Sequence, residues 1–315
     1  MPHYTESVFR PETATEFSSS RFLSDLESLA KEVNSSIDKP AVENVLTKFD
    51  KYFQEGCVVF RSKDRPNDTL NYRLFLFNAH DTMKAAIEAG LLDPSHPFIP
   101  LMGLWHFLCH QDQTPAFWPD FSATKATIAK TWLLISPLCS IKTLLRAPGI
   151  PNGMQDQFDT LQSAGLDKVR FIAADYDAMT VNFYWPLAEP LSRKQADQLA
   201  ALGGSPPPSE DKLQEMKKYL DPRGTLFAVT MKYPTGEMTR VGFYALNVHL
   251  TPTLKDFPQV NERGTKFLTS VKSHDKVPTT VVSWSFGRDG GEYTKLEAGN
   301  SGEFEDLILH VGAMP

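Results

Sequence analysis

Isolated basic residues interrupt several apolar segments of this 315-residue chain, and each segment has the length and composition of a β-strand. Side chains on a strand alternate between its two faces, and the faces opposite these cations are largely Val, Leu, Phe and Ala. Arginine and lysine are rarely buried alone, because removing their charge from water is unfavourable. The cations in such segments are Arg61, Arg73, Lys130, Arg170, Arg240 and Lys295.

Cations from successive strands that point into one enclosed space would need a polyanionic partner. A diphosphate is the natural candidate, because guanidinium groups bind phosphate oxygens in pairs and lysine adds a compact charge. For any single cation, the alternative is a charge on an edge strand that faces solvent. Other polar residues share a face with one another or with a cation: Asn182 with Tyr184, Tyr244 with Arg240, and Glu297 with Lys295.

The extended segments occur mostly in pairs. They cover residues 57–62, 70–77, 127–135, 168–175, 179–185, 225–233, 238–246, 279–288 and 292–297. The pairs that start at 168, 225 and 279 recur roughly every 55 residues, which indicates a repeated structural unit. Extrapolation predicts one further strand near 117–121, as the partner of 127–135.

Helical segments separate the strand pairs. One predicted helix starts near Phe22 and a second covers 40–54. Ser192 and Ser209 are predicted N-caps of two later helices, and Ser192 opens the capping-box pattern SRKQ. A last helix carries Phe304, Leu307, Ile308 and Val311.

The resulting fold class is α+β. Five helix–strand–strand–helix units predict a ten-stranded antiparallel β-barrel surrounded by a ring of α-helices, which leaves no strand edge exposed. The alternative is an open α+β sheet, or two such domains. Residues 1–19 are polar and rich in Ser and Thr, so we expect a flexible N-terminal arm followed by a single domain over 20–315.

Composition favours a cytoplasmic protein. The net charge of −6 argues against nucleic acid as a partner. No segment approaches the roughly 18 apolar residues of a membrane span, and the first residues lack the apolar core of a secretory signal. Three cysteines at unrelated spacings predict no disulfide framework. A monomer is expected for a closed barrel.

Common catalytic and metal-binding motifs are absent. The chain has no aspartate-rich DDxxD run, no P-loop, no GxGxxG fingerprint and no GxSxG nucleophile elbow. His106, Cys109, His110 and Asp112 are residue types that bind metals, but they lie in or next to a helical segment without a second cluster. No metal site is expected.

Several segments resemble a known family. They are NYRLF (71–75), AIEAGLLDPSHP (86–97), AKTWL (129–133), KVRFIAADY (168–176), VNFYW (181–185), LGGSPPP (202–208), RVGFYAL (240–246) and SWSFGRDGGEYTKLE (283–297). In this order they resemble the soluble aromatic prenyltransferases with αββα repeats, and most closely the CloQ-like subgroup, which has fungal members.

The resemblance implies roles for individual residues. It implies a diphosphate site formed by Arg61, Arg73, Lys130, Arg170, Arg240 and Lys295, with Asn182, Tyr184 and Tyr244 as hydrogen-bond donors. It implies that Glu297 contacts the acceptor, so Glu297, Arg73, Lys130 and Arg170 are the expected catalytic residues. Strand alternation adds Phe75, Trp132 and Trp284, together with Glu297, as the expected pocket for the acceptor and a carbocation. No cofactor and no magnesium requirement are expected.

The expected activity is transfer of a dimethylallyl group from dimethylallyl diphosphate to a phenolic, dihydroxynaphthalene-like acceptor. One alternative is the same fold with an indole or phenazine acceptor, or with a geranyl donor. The other is a barrel that binds an anionic lipid without catalysis.

Overall fold

Ten antiparallel strands close into a single barrel in the part of the chain that the structure describes. The structure is a computed structural model, and it describes residues 14–221, 224–249, 258–288 and 291–310. The strands are β1 (Gly56–Lys63), β2 (Asn71–Leu76), β3 (Phe117–Ser122), β4 (Ile128–Ser140), β5 (Lys168–Asp175), β6 (Thr180–Pro186), β7 (Thr225–Lys232), β8 (Met238–Val248), β9 (Thr280–Gly287) and β10 (Tyr293–Ser301).

Each strand pairs with its neighbours in the chain, and β10 returns to pair with β1. The predicted strand near 117–121 is confirmed as β3, which pairs with β4 through Trp118 opposite Trp132 and Asp120 opposite Lys130. The α+β barrel prediction is therefore confirmed, and the open-sheet alternative is wrong. Closure matters for function because it creates an enclosed lumen that every strand can line.

Twelve α-helices accompany the barrel in the described ranges, and they include α5 packed on β4 and α9 packed on β8. They are α1 (Ser19–Glu32), α2 (Lys39–Lys48), α3 (Asp50–Glu55), α4 (Thr82–Glu88), α5 (Phe98–His110), α6 (Ile141–Leu145), α7 (Asn152–Gln155), α8 (Phe158–Ser163), α9 (Arg193–Leu202), α10 (Glu210–Tyr219), α11 (Glu262–Ser270) and α12 (Phe304–His310). None of these helices combines the length and the hydropathy that a membrane crossing requires.

Local sequence signals explain several helix boundaries. The Ser192 side chain accepts a hydrogen bond from the backbone N–H of Gln195, and Ser209 does the same for Lys212, so both predicted N-caps are confirmed. The single helix predicted over 40–54 is instead two helices, α2 and α3, which meet at Phe49. Of the last predicted helix, Val311 lies outside the described residues.

The outer face of the barrel and the helices share one apolar core. Phe22 of α1 stacks on Phe60 of β1 with ring centroids 5.2 Å apart, and Trp105 of α5 meets Phe183 of β6 at 5.4 Å. Because helices cover the strands from outside, alternate strand residues must point into the lumen. This arrangement places the predicted polar face inside the barrel.

The boundary of the N-terminal arm differs from the predicted one. Residues 1–13 lie outside the described part of the chain, but Ser19 already begins α1 and Ser18 caps that helix. Phe17 is buried and stacks on Phe53 at 5.0 Å, so the last residues of the segment predicted to be flexible belong to the packed core.

Candidate active site

The charged residues of the lumen lie at one end of the barrel, where β1, β3 and β5 end and β2, β4 and β6 begin. The strand register sets Arg73 opposite Asp120, Asp120 opposite Lys130, and Lys130 opposite Asp175. Residues directly opposite each other on antiparallel strands share a face of the sheet. Four consecutive strands therefore place alternating positive and negative charges in one continuous row.

Two carboxylates connect three of the cations. Arg61 Nη1 donates to Asp120 Oδ2 at 2.7 Å, and Arg73 donates to both oxygens of Asp120. Arg73 Nη1 also donates to Glu297 Oε2 at 2.9 Å, and Lys295 Nζ lies 3.1 Å from Glu297 Oε1. Asp120 and Glu297 thus hold the cations of β1, β2 and β10 together.

The remaining cations are on β4 and β8. Lys130 Nζ lies 3.3 Å from Asp175 Oδ2. Arg240 Nη2 donates to Thr230 Oγ1 at 3.1 Å, and the Thr230 hydroxyl donates to Asn182 Oδ1 at 2.5 Å. Five cations from five strands therefore face one lumen. We call them the cation cluster: Arg61, Arg73, Lys130, Arg240 and Lys295.

The carboxylates of this region stay ionised despite their burial. Burial opposes ionisation of Asp120, but Arg73 and Arg61 outweigh it and hold the pKa of that carboxyl well below its usual range. Burial likewise opposes ionisation of Glu297, and Arg73 and Lys295 lower its pKa below the ordinary value. With Asp175 also ionised, the five cations of the cluster exceed the three carboxylates that contact them.

Two tyrosines adjoin the cation cluster. Lys295 Nζ donates to the hydroxyl of Tyr244 at 3.2 Å, and the rings of Tyr184 and Tyr244 are 5.4 Å apart. Burial raises the pKa of Tyr244, but Lys295 and the hydrogen bond from Tyr184 outweigh burial and bring it down to about 8. Burial and its neighbour Tyr244 hold the pKa of Tyr184 well above the ordinary value.

Tyr244 should therefore ionise near pH 8 in the unliganded enzyme. An ultraviolet titration of tyrosinate should show a group with a midpoint near pH 8, below that of an ordinary tyrosine. The transition should disappear in Tyr244→Phe, while Tyr184→Phe should move it to higher pH because a stabilising hydrogen bond is lost. A wild-type titration without tyrosinate below about pH 9 would contradict this interpretation of the Lys295 contact.

An apolar cavity adjoins the cation cluster inside the barrel. Its lining is predominantly apolar and aromatic, as in most small-molecule sites. Arg73 and Glu297 lie at the boundary between the two, and residues of α12 close the other side. The lining residues are Arg73, Phe75, Trp118, Trp132, Phe171, Tyr184, Leu226, Tyr244, Leu246, Val281, Glu297, Phe304, Leu307 and Ile308.

The prediction that Arg170 points into the lumen with the other cations is wrong. Phe171 lines the cavity and Asp175 contacts Lys130, so strand alternation turns Arg170 to the outer face of β5. Arg170 Nη1 donates to the backbone oxygen of Ile135 at 3.3 Å. Burial lowers its pKa with no contribution from a carboxylate, which agrees with a position away from the charged row.

The prediction that Trp284 lines the acceptor pocket is also wrong. Its neighbour Ser283 pairs with both Lys295 and Tyr244, so the serines of β9 face the lumen and Trp284 faces outward. Trp284 Nε1 donates to Glu215 Oε1 of α10 at 3.3 Å. Trp284 is therefore a packing residue between the barrel and a helix. Phe75 and Trp132 do line the cavity.

Asp120, Asp175, Trp118 and Phe171 are not among the predicted site residues, although all four face the lumen. A signal for two of them exists. Trp118 and Asp120 are two residues apart in β3, and Lys130 and Trp132 have the same spacing in β4. Antiparallel pairing of these strands sets tryptophan against tryptophan and acid against base.

The described residues contain no group of three or more His, Cys, Asp or Glu side chains arranged to hold a metal ion. His106 and His110 contact each other, with Nδ1 atoms 3.3 Å apart. His106 Nε2 lies 2.7 Å from the backbone oxygen of Gln113, and His110 Nε2 accepts from the N–H of Ser136. These side chains therefore serve to fix α5 and the loop after it.

A closed barrel of ten antiparallel strands, with helices outside and a lumen that is cationic at one end and aromatic next to it, defines the αββα class of prenyltransferase barrels. The chain belongs to the aromatic prenyltransferase Orf2 family, whose model matches residues 17–311. It is therefore a prenyl-transferring enzyme, as the resemblance of its sequence motifs predicts.

Relatives and solved structures agree with this assignment. The chain is 36% identical over 285 residues to an aromatic prenyltransferase of Arthroderma otae, covering 90% of this chain and 89% of the relative. It is 34% identical over 294 residues to the 4-hydroxyphenylpyruvate 3-dimethylallyltransferase of Streptomyces niveus, covering 93% and 88%.

Among solved structures, 5-dimethylallyltryptophan synthase from Streptomyces coelicolor superposes with a TM-score of 0.58 at 12% identity, covering 90% of this chain and 97% of that chain. The prenyltransferase PriB, in a ternary complex with L-tryptophan and dimethylallyl thiolodiphosphate, gives the same TM-score at 14% identity and covers 90% and 96%. At this level of identity, the similarity establishes a shared fold.

Proposed function

We propose that the enzyme transfers a dimethylallyl group from dimethylallyl diphosphate to a phenolic aromatic ring, without a metal ion. The observation that carries this proposal is the junction of the cation cluster with the aromatic cavity at Arg73 and Glu297. One end of a donor molecule is anionic and the other is apolar, and the lumen has the same polarity.

The cation cluster would bind the diphosphate of the donor. Its arginines offer paired N–H donors to phosphate oxygens, and Lys130 and Lys295 add compact charges from β4 and β10. As the allylic C–O bond breaks, both bonding electrons pass to the diphosphate, and the fixed cations stabilise the charge that develops there. In this role the cluster would do the work that magnesium does in other diphosphate-binding enzymes.

The aromatic cavity would receive the allyl cation that remains. Trp132 and Tyr184 lie with ring centroids 4.7 Å apart, and Phe75 meets Trp118 at 5.0 Å. Aromatic faces attract cations, and the buried apolar lining excludes the water that would quench the intermediate. Arg73 shows that these rings bind a positive charge, since its Cζ lies 4.0 Å from the centre of the Trp132 ring in a cation–π contact.

Glu297 would activate the acceptor. A phenol that donates its hydrogen bond to the ionised carboxylate gains electron density at the attacked ring carbon. A ring π-electron pair then forms the C–C bond to the allyl cation, and loss of the proton on that carbon restores aromaticity. Glu297 or the departing diphosphate would accept this proton.

The relative from Streptomyces niveus supports both halves of the proposal, because its name specifies a dimethylallyl donor and a hydroxyphenyl acceptor. The ionised carboxylate of Glu297 also favours a phenolic acceptor, because it can accept a hydrogen bond from the phenol hydroxyl. An indole acceptor, such as the L-tryptophan of the PriB complex, is an alternative outcome of the test below and not the proposed substrate.

The purified enzyme should prenylate a hydroxynaphthalene from dimethylallyl diphosphate and keep its turnover, within about twofold, in excess EDTA. The reason is that five protein cations already supply the charge that a metal would bring. Diphosphate release and the mass of the product should be measured together, with and without added magnesium. Turnover that vanishes with EDTA and returns with magnesium would refute the metal-independent step, and diphosphate binding without any product would favour a lipid-binding barrel.

A further inference from the structure

We propose that the indole N–H of Trp132 positions the aromatic acceptor by donating a hydrogen bond to a second oxygen on the acceptor ring. This inference rests on the proposed function and extends it, because it assigns an element of acceptor specificity to one atom. The acceptor class that it specifies is an aromatic ring with two oxygen substituents: one donates to Glu297 and the other accepts from Trp132.

The inference starts from an unpaired donor. Trp132 is 5% exposed, and its Nε1 has no hydrogen-bond acceptor among the described residues. Buried N–H groups are almost always paired, because an unpaired one loses its bond to water without replacement. Trp105 and Trp118 follow that rule, since their Nε1 atoms donate to the backbone oxygens of Leu144 and Leu76 at 3.0 and 3.2 Å.

The position of Trp132 links this donor to the substrate site. Trp132 lines the aromatic cavity together with Glu297, and Arg73 lies between them, stacked on the indole ring and bonded to the carboxylate. Trp185 also lacks an acceptor, but it packs on the outer face, against Phe227. Of these two unpaired indoles, only Trp132 lines the cavity.

The two groups have opposite hydrogen-bonding capacities. The ionised Glu297 only accepts, and each of its oxygens has a lone pair beyond those used by Arg73 and Lys295. The indole of Trp132 only donates. An acceptor with one ring oxygen satisfies Glu297 and leaves Trp132 unpaired, whereas an acceptor with two oxygens satisfies both.

A two-by-two comparison of enzymes and acceptors tests this assignment. Wild type and Trp132→Phe should each be assayed with 1,6-dihydroxynaphthalene and with 1-naphthol, which lacks the second oxygen. Wild type should favour the dihydroxy acceptor in kcat/KM by about tenfold, because a site with a buried donor discriminates against a partner that leaves it unpaired. In Trp132→Phe, which keeps an aromatic face, the preference should fall to within about twofold.

Trp118→Phe is the matched control, because Trp118 lines the same cavity but its N–H already donates to Leu76. It should change both acceptors alike and preserve the wild-type preference. A preference that persists in Trp132→Phe, or that disappears equally in Trp118→Phe, would overturn the inference.

Three further outcomes are decisive. If Trp132→Phe does not fold, the wild-type ratio alone decides, and equal kcat/KM values for the two naphthols would overturn the inference. If wild type forms no prenylated product from either naphthol, the proposed function fails together with the inference. Product from both without a preference removes the inference and leaves the proposed function standing.

Discussion

Arg73→Met should lower turnover by about 10²- to 10³-fold, whereas Arg170→Met should leave it within about threefold of wild type. Both arginines are buried, and both belong to the diphosphate site that the family resemblance implies. Only Arg73 lies in the cation cluster, bonded to Asp120 and Glu297. The expected difference follows from removing a fixed charge beside the departing diphosphate in one variant and a charge outside the lumen in the other.

Steady-state turnover and thermal unfolding should be measured for both variants. In Arg73→Met, Asp120 keeps Arg61 and Glu297 keeps Lys295, so neither carboxylate is left without a cation and the barrel should fold with reduced stability. In Arg170→Met, a buried arginine without a carboxylate partner is removed, so stability should be unchanged or higher. Near-normal turnover in Arg73→Met, or an equal loss in both variants, would show that the cluster does not bind the donor as proposed.

Glu297→Gln should lower kcat/KM for the phenolic acceptor by about 10²-fold while donor binding is unchanged or tighter. The amide keeps the shape of the side chain but can neither polarise the phenol nor take up a ring proton. The substitution also removes one negative charge beside the cation cluster, and this favours binding of the anionic donor. The pKa of Glu297 is lowered, because Arg73 and Lys295 outweigh burial, so the wild-type carboxylate is ionised at neutral pH.

Acceptor kinetics should be combined with calorimetric binding of a non-reactive thiolodiphosphate analogue of the donor. Asp175→Asn is the matched control, since Asp175 contacts Lys130 in the cation cluster and does not line the aromatic cavity. It should alter donor affinity more than acceptor kinetics, the opposite of Glu297→Gln. Equal losses of donor binding and acceptor kinetics in Glu297→Gln would remove Glu297 from acceptor chemistry.

Most of the fold could be predicted from the regular spacing of the strand pairs along the sequence. The spacing of the clear pairs predicts a strand near residue 117, and β3 lies there even though its Pro119 makes the segment a weak strand by composition. The cations of β1, β2, β4, β8 and β10 could also be placed correctly, because each lies on a face that differs in polarity from the opposite one.

The two misplaced residues lie on strands without that contrast. In β5, both Arg170 with Ile172 and Phe171 with Ala173 form buried faces, so the alternating pattern does not indicate which face is inside. In β9 the larger side chains, Trp284 and Phe286, lie outside, and the small serines face the lumen where Tyr244 and Lys295 need space. Only the register with neighbouring strands decides such cases.

The contacts of Asp120 with Arg61 and Arg73 could not be predicted from the sequence, for a different reason. Asp120 contacts Arg61 and Arg73, which lie 59 and 47 residues away along the chain. Nothing local in FWPDFS marks its acid as the partner of cations on two other strands. Ion pairs across a barrel depend on how strands align after closure, and that alignment follows from packing over the whole chain.

The carboxylates that hold the lumen cations also bear on how the enzyme completes a cycle. Cations without carboxylate partners would bind inorganic pyrophosphate, the by-product, as tightly as the donor. Product inhibition would then stop the enzyme after one turnover. In the proposed cycle, Asp120, Asp175 and Glu297 would re-form their ion pairs with the same cations as the by-product leaves. Such competition between the carboxylates and the by-product would allow the anion to exchange, so that strong electrostatic attraction and repeated catalysis could coexist in one barrel.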